Sequence, residues 1–272
     1  MQQFPAVKTA GCHFEPVAGL TGESWRVTSD GLDLLARLQS TDKARLGVSR
    51  RREFTLLQRM RSLCIAPVPY HMGREWLLVE WLPGKVLSAE QFTAEAGNGE
   101  LAALVALLHR QRPSGYPLDL RQQFERYWQA IDRRRLSPRW LHLQRDFLRQ
   151  KPPVALKVAP LHMDIHAGNL LRSPHGLQLI DWEYAADGDI ALELAALFRG
   201  NRWSTPQQQA FLRDYCQNSA NIAPVTLQRQ IARWTPWVDY LMLLWFEVRW
   251  QQTKEARYTE WAAPLRQTMF LW

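Results

Sequence analysis

Cysteine is scarce in this sequence of 272 residues, and its distribution excludes several classes of protein. Cys12, Cys64 and Cys216 are odd in number and far apart, so they form neither a disulfide framework nor a Cys-x-x-Cys metal site. Long apolar runs are also missing, because no stretch reaches the ~20 residues that cross a bilayer. Residues 1–10 lack the charged-then-apolar order of a secretory signal. We therefore expect reduced thiols, no membrane association and a cytoplasmic location.

Positive charge is in excess, but it is dispersed along the chain. The net charge of +8 and the pI of about 9.7 raise the possibility of a nucleic-acid partner. The arginine clusters at 50–52 and 133–135 lie on helix-like stretches, where charge usually marks a solvated face, and no nucleic-acid motif accompanies them. We therefore expect no nucleic-acid partner. The hydrophobic content of 46% is that of an ordinary globular protein.

The first 82 residues predict strands, one helix and further strands. Short apolar runs separated by turn residues over 12–38 predict three antiparallel strands. Residues 40–48 read as a polar connection, after which Ser49 can cap a helix that ends near Arg61. The apolar run 76–81 has the length of a strand and is closed by a Pro-Gly turn.

Residues 83–272 predict a mainly helical region. Its helical stretches are Leu101–Gln111, Leu120–Ile131, Pro138–Gln150, Ile190–Arg199, Pro206–Asn218, Pro224–Arg233 and Pro236–Gln252. Proline at several starts suits the first helical turn, where its missing N–H is harmless, and Asp189 can cap the helix that follows it. The sequence therefore predicts an α+β chain with an N-terminal domain over 1–82 and a helical domain over 83–272.

Three polar side chains lie at the two ends of a predicted hairpin. Asp164 and Asn169 share one short loop, and the apolar runs on either side of the turn at 173–176 predict two short antiparallel strands. Asp181 leaves this hairpin where Asn169 enters it. An amide oxygen and a carboxylate should therefore meet at one end of the hairpin, beside the second carboxylate of Asp164.

This arrangement suits phosphoryl transfer, which requires a proton acceptor and a metal held against the phosphates. Asp164 is the candidate acceptor, and Asn169 and Asp181 offer the hard oxygen ligands that Mg²⁺ prefers. Taken singly, His162, Asp164 and Asn169 could be ordinary turn formers, but their combination with Asp181 favours the chemistry. His162 and His166 are four residues apart and raise the alternative of a zinc site. The poor helix formers between them and the absence of a paired glutamate disfavour it.

The pattern His162-x-Asp164-x-x-x-x-Asn169, followed by Ile180-Asp181-Trp182-Glu183, resembles the catalytic loop and metal-binding segment of the aminoglycoside phosphotransferase and choline kinase family, which is related to the protein kinases. The resemblance is strongest over 160–197 and extends through the tryptophan-rich segment 233–250. It implies a bilobal protein-kinase-like fold with a small antiparallel-sheet lobe that carries one helix and a larger, mainly helical lobe. It also implies ATP and Mg²⁺ as cofactors.

The same resemblance assigns roles to individual residues. Asp164 would be the catalytic base, and Asn169 with Asp181 would hold Mg²⁺. The backbone of the hinge at Glu80, Trp81 and Leu82 would contact adenine.

A residue on the third predicted strand would contact the phosphates, braced by Glu53. This superfamily usually has lysine there, but Arg37 is the only cation on the strand and is expected to take the role, with a different geometry. Thr21, Gly22 and Ser24 in the first turn are expected to approach the phosphates, although a hairpin with two glycines is also common for steric reasons.

The resemblance implies phosphorylation of a hydroxyl group on a small cation, and within the family it points to thiamine as the expected substrate. Its charged thiazolium ring favours aromatic faces and carboxylates in a binding site. The candidate residues for this contact are Trp182, Glu183, Asp187, Asp189, Trp245 and Glu247. The tryptophans among them could equally be packing residues. A kinase for another small hydroxylated cation and a catalytically silent nucleotide-binding protein remain the alternatives.

Overall fold

The strands between His13 and Glu80 form one antiparallel sheet in the computed structural model, which describes residues 11–17, 24–219 and 222–271. They are β1 (His13–Pro16), β2 (Ser24–Ser29), β3 (Leu32–Leu38), β4 (Pro69–Met72) and β5 (Trp76–Glu80). Their spatial order is β1-β2-β3-β5-β4, which places β3 at the centre. The three strands predicted over 12–38 and the strand predicted over 76–81 are confirmed.

Two helices, α1 (Thr41–Arg45) and α2 (Arg50–Met60), connect β3 to β4. The Ser49 hydroxyl accepts a hydrogen bond from the backbone N–H of Arg52 at 3.3 Å, so the predicted N-cap of α2 is confirmed. The polar connection predicted over 40–48 contains the short helix α1, which Ser40 caps in the same way.

Alternation along β3 separates the two faces of the sheet. Leu34 and Ala36 point to one face and join a small apolar cluster with Val27 on β2. Leu35 and Arg37 therefore point to the other face, on which α2 packs against β4 and β5. This alternation places the guanidinium group of Arg37 between the sheet and α2.

The remaining elements are mainly helices. These helices are α3 (Ala89–Gly97), α4 (Glu100–His109), α5 (Leu120–Ala130), α6 (Pro138–Arg149), α7 (Ile190–Gly200), α8 (Thr205–Asn218), α9 (Pro224–Thr253) and α10 (Ala256–Thr268). Four short strands lie among them: β6 (Val158–Leu161), β7 (Leu170–Ser173), β8 (Gly176–Leu179) and β9 (Ala186–Asp189). Strands β7 and β8 form the predicted hairpin, and β6 pairs with β9.

The prediction of two separate helices over 224–233 and 236–252 is wrong, because α9 continues through Pro236. Proline removes one backbone hydrogen bond from the helix. The carbonyl that loses this donor is that of Ala232, and the Thr235 hydroxyl donates to the neighbouring carbonyl of Ile231 at 2.9 Å. Trp234 and Trp237 are buried on either side of the proline, so packing outweighs the break.

One large apolar core extends from the sheet into the helical region. It contains Leu57 on α2 and Val79 on β5 from the sheet region, and Leu104, Leu194 and Leu244 from the helical region. The α+β class with a small antiparallel sheet and a larger helical part is confirmed. The boundary at residue 82 stays a prediction. Within the described residues, no helix combines the length and the apolar character that a membrane span requires.

Candidate active site

The loop after β6 is fixed at its start by His162. The Nε2 atom of His162 lies 2.9 Å from the carbonyl oxygen of Ile180, and its Nδ1 atom lies 3.3 Å from the backbone nitrogen of Asp164. Nε2 therefore donates and Nδ1 accepts, as in the neutral ring, and burial lowers the pKa of His162 accordingly. Both nitrogens are engaged within the fold, so His162 connects the Asp164 loop to the strand that precedes Asp181.

Asn169 connects the other end of this loop to Asp164. Its side-chain nitrogen donates to the backbone carbonyl of Asp164 and to the Oδ2 atom of Asp164, both at 2.9 Å. The amide oxygen of Asn169 is consequently directed away from Asp164. The Asp164 carboxylate is 37% exposed, and its Oδ1 atom lies 3.6 Å from Nε2 of His166. Asp164 is therefore held in place yet accessible to a reacting hydroxyl group.

A zinc site is not supported by this geometry. His162 uses both ring nitrogens within the fold, and no cluster of three or more His, Cys, Asp or Glu suited to a metal occurs in the parts of the chain that are described. The oxygens of Asn169 and Asp181 are the remaining candidates for metal ligands.

Asp181 follows β8 in a left-handed backbone conformation, with φ of 62°. Such a conformation is uncommon outside glycine, although Asp and Asn adopt it more readily than most residues. The carboxylate of Asp181 forms an ion pair with the Arg37 guanidinium group. Burial opposes ionisation of Asp181, but the charge of Arg37 outweighs it and holds the pKa of Asp181 at about 2.

Arg37 is the centre of a buried charge cluster. Its Nη1 atom donates to Glu53 at 2.7 Å, and its Nη2 atom donates to Glu183 at 3.1 Å as well as to Asp181. Burial lowers the pKa of Arg37, but the charges of Asp181, Glu53 and Glu183 outweigh it and raise the pKa overall. The predicted pairing of Arg37 with Glu53 is therefore present, and two further carboxylates join it.

Lys43 and Arg50 complete the charge cluster, and neither of them was predicted from the sequence to belong to the site. The Nζ atom of Lys43 lies 2.8 Å from Oε2 of Glu183, and Arg50 contacts Glu53 at 2.6 Å and Glu183 at 3.3 Å. Burial lowers the pKa of Lys43, and burial together with the charge of Asp181 raises the pKa of Glu183. The interpretation of 50–52 as a solvated face is wrong for Arg50, which is fully buried.

A cavity of about 630 Å³ connects these groups. Among the expected nucleotide-contacting residues, those that line it are Ser24, Arg37, Glu53, Glu80 and Leu82. Ser24 is paired with Arg37 across β2 and β3. The backbone N–H groups of Glu80 and Trp81 donate to Val68 and Asp33, which fixes the hinge segment. Thr21 and Gly22 lie outside the described residues.

The catalytic and metal-ligand candidates line the same cavity. Asp164, Asn169 and Asp181 all contribute to its wall, together with His166 and Met163. An aromatic group forms another part of that wall, consisting of Tyr184, Trp245 and Phe246. The indole nitrogen of Trp245 donates to the Tyr184 hydroxyl at 2.9 Å, which fixes both rings.

Of the six residues expected to contact the substrate, Trp182, Glu183 and Trp245 line the cavity. Trp245 is half-buried in the cavity wall. Trp182 also borders the cavity, but it is 1% exposed and its indole nitrogen donates to the carbonyl of Leu179 at 2.8 Å. Glu183 is directed into the charge cluster.

The other three carboxylates are engaged within the fold and are absent from the described part of the cavity wall. Asp187 accepts hydrogen bonds from three consecutive backbone N–H groups at 114–116. Asp189 caps α7, as predicted, and accepts from Gln230 and Trp234. Glu247 forms ion pairs with Arg135 and Arg266.

This fold and site define a kinase-like phosphotransferase. The sequence model of the phosphotransferase enzyme family matches residues 13–228, and the chain belongs to that family. A relative named thiamine kinase, from Escherichia coli O157:H7, is 39% identical over 249 residues, which cover 90% of this chain and 87% of the relative. The expected class of ATP-dependent small-molecule kinase is confirmed by these matches.

Solved structures share the fold. Choline kinase LicA from Streptococcus pneumoniae has a TM-score of 0.76 and 15% identity, covering 97% of this chain and 95% of that one. A complex of LicA with AMP has a TM-score of 0.73 and 17% identity, covering 94% of this chain and 90% of that one. At these identities the likeness extends to the fold alone.

Proposed function

We propose that the protein transfers the γ-phosphoryl group of ATP to the primary hydroxyl of thiamine and forms thiamine monophosphate. The observation that carries the substrate assignment is the 39% identity to relatives named thiamine kinase over 90% of the chain. The convergence of Asp164, Asn169 and Asp181 on one cavity supports the reaction type.

Mg²⁺ is the metal that fits the available ligands. The amide oxygen of Asn169 is directed away from Asp164, and the carboxylate of Asp181 stays ionised at neutral pH because its pKa is about 2. Two oxygen ligands are the set with which proteins usually hold Mg²⁺, whose other positions are taken by phosphate and water. When bound, the metal offsets the negative charge of the phosphates.

The residues of this chain then have separable roles in the reaction. The thiamine hydroxyl oxygen forms a bond to the γ-phosphorus, the bond from that phosphorus to the bridging oxygen breaks, and ADP leaves. Asp164 accepts the hydroxyl proton, and Asn169 orients its carboxylate through the hydrogen bond at 2.9 Å. Arg37, braced by Glu53, contributes positive charge beside the phosphates.

The nucleotide and the acceptor use different parts of the cavity wall. We assign the adenine contacts to the backbone of Glu80 and Leu82, and the phosphate end to Ser24 and Arg37. The aromatic group of Tyr184, Trp245 and Phe246 suits the thiazolium ring, because a cation over an aromatic face gains ~0.5–2 kcal/mol. Of the six residues expected to contact the substrate, we assign Trp245 to direct contact with the thiazolium ring.

A panel of acceptors tests the substrate. Purified protein is assayed with ATP and Mg²⁺ against thiamine, choline, ethanolamine and an aminoglycoside, and thiamine should have the highest kcat/KM. Preferred turnover of another acceptor would replace the substrate assignment and keep the kinase mechanism.

Asp164→Asn separates an enzyme from a silent nucleotide-binding protein. The variant keeps the side-chain shape and the Asn169 contact but lacks a carboxylate, so kcat should fall by ~10²–10⁴-fold, the usual contribution of a general base. The dissociation constant for ATP should change less than about threefold. Nucleotide binding without turnover in the unmodified protein would support the silent alternative.

A further inference from the structure

Three buried polar side chains, joined by hydrogen bonds, lie behind the Asp164 loop and take no direct part in the proposed phosphoryl transfer. We propose that His109 and Tyr215 are positioning residues for catalysis, which act through Glu193 to fix the backbone that carries Asp164. This inference rests on the proposed kinase function, but it does not depend on which acceptor is phosphorylated. Its residues come from three helices, with His109 on α4, Glu193 on α7 and Tyr215 on α8.

Glu193 holds two consecutive backbone N–H groups of the catalytic loop. Its Oε1 atom accepts from the nitrogen of His162 at 2.9 Å and from the nitrogen of Met163 at 2.5 Å, and its Oε2 atom also lies 3.0 Å from the nitrogen of His162. Met163 immediately precedes Asp164 and has a φ of 67°. A left-handed conformation costs a non-glycine residue ~1–2 kcal/mol and persists only where other interactions enforce it. The carboxylate of Glu193 provides that interaction.

His109 and Tyr215 determine how Glu193 is held. The Nε2 atom of His109 lies 3.0 Å from Oε2 of Glu193, and its Nδ1 atom lies 2.8 Å from the Tyr215 hydroxyl oxygen. Glu193, His109 and Tyr215 are each at most 1% exposed, so their polar atoms depend on one another for hydrogen bonds.

The Glu193 carboxylate can only accept, which fixes the direction of its hydrogen bond with His109. Nε2 of His109 therefore carries a proton and donates it to Glu193. Burial raises the pKa of Tyr215, and its hydroxyl stays protonated at 2.8 Å from Nδ1 of His109. Burial opposes the charge of Glu193, but the hydrogen bond from His109 and the nearby backbone donors outweigh it and lower the pKa of Glu193. Tyr215 thus fixes the orientation of the His109 ring, and His109 fixes the acceptor that orients the loop.

Two amide variants of His109 separate positioning from packing. Glutamine places its NH₂ group near the position of Nε2 and can donate to Glu193, whereas asparagine reaches only the position of Nδ1. We expect His109→Gln to keep kcat within about threefold and His109→Asn to lower it ~10–100-fold, since a displacement of about 1 Å can cost ~10²-fold. KM for ATP and for thiamine should stay within about threefold in both variants.

Two tyrosines of the fold provide a matched control. Tyr215 and Tyr240 are both fully buried, and each hydroxyl contacts one side chain, His109 and Gln144 respectively. Tyr215→Phe should lower kcat about three- to tenfold, whereas Tyr240→Phe should leave it unchanged at a similar loss of melting temperature. Equal kcat in the two variants would overturn the proposal. The two tyrosine variants keep the proposal testable if a histidine variant fails to fold.

A double-mutant cycle with Asp164→Asn provides a second test of whether His109 acts through Asp164. If His109 acts through the base, His109→Asn should lower kcat much less in the Asp164→Asn background than in the unmodified protein. Equal losses in both backgrounds, or a parallel rise in KM for ATP, would show a merely structural role. If the unmodified protein does not turn over thiamine, the proposed function fails, and the cycle is then measured on ATP hydrolysis by water.

Discussion

Replacing Asp187 by asparagine distinguishes a structural carboxylate from a substrate ligand. Its Oδ1 atom accepts from the backbone nitrogen of Ser114 at 2.8 Å, and its Oδ2 atom accepts from those of Gly115 and Tyr116 at 2.7 and 3.0 Å. The side chain is 4% exposed, so water cannot replace these contacts without a rearrangement. The carboxylate therefore holds the segment between α4 and α5 against β9.

The expected loss follows from this geometry. Asparagine keeps one oxygen, which can serve Gly115 and Tyr116 from the position of Oδ2, but its NH₂ group then faces the N–H of Ser114. A hydrogen bond to a charged group contributes ~1.5–3 kcal/mol, and an unsatisfied buried donor costs ~1–3 kcal/mol. We expect the free energy of unfolding to fall by about 3 kcal/mol, which corresponds to a Tm lower by ~6–12 °C for a chain of this size.

Urea unfolding and steady-state kinetics on the same preparation test this expectation. KM for thiamine and for ATP should be unchanged at a temperature where Asp187→Asn is folded. Asp42→Asn is the control, because its carboxylate is 63% exposed and pairs with the nearby Arg45, a contact worth less than ~1 kcal/mol. A rise of tenfold or more in KM for thiamine at unchanged stability would refute the reasoning and restore Asp187 as a substrate contact.

Three further replacements have defined outcomes. Arg37→Lys should raise KM for ATP ~10-fold and lower the urea midpoint, because one ammonium group cannot reproduce the separate contacts of two guanidinium nitrogens. Glu247→Gln should destabilise the protein by about 3 kcal/mol in urea unfolding and leave both KM values unchanged, because two arginines lose their buried partner. Glu193 has a lowered pKa, so its contribution to stability is complete above its unfolded pKa of ~4.3 and is lost as the pH falls through the folded value. Unfolding free energies from pH 7 to pH 3 should therefore decline less steeply for Glu193→Gln.

The sequence predicted those secondary-structure elements that depend on residues close to one another along the chain. The hairpin of β7 and β8 follows from a turn between two apolar runs, and the caps at Ser49 and Asp189 follow from the residue types that precede the helices. The continuation of α9 through Pro236 has a distant cause. Its two buried tryptophans pack inside the apolar core, and that packing overrides the local signal of proline.

The same distinction applies to the candidate site. Asp164, Asn169 and Asp181 lie within 18 residues of one another, so their convergence could be predicted from the loop and the hairpin. Lys43 contacts Glu183 across 140 positions, and no spacing rule connects the two. For Asp187, Asp189 and Glu247, residue type and proximity suggested a binding role. The sequence contains no signal that separates a carboxylate facing buried donors from one facing a cavity.

The charge cluster explains why arginine occupies position 37. Three cations, Arg37, Lys43 and Arg50, meet three carboxylates, Glu53, Asp181 and Glu183, so the charges balance in a region that is largely buried. Arg37 alone contacts all three carboxylates, because two nitrogens of a planar group can serve different partners. It therefore connects α2, through Glu53, to the segment after β8 that carries Asp181. A movement of α2 relative to that segment must change the contacts of Arg37, so the position of the proposed phosphate contact and that of the proposed metal ligand depend on each other.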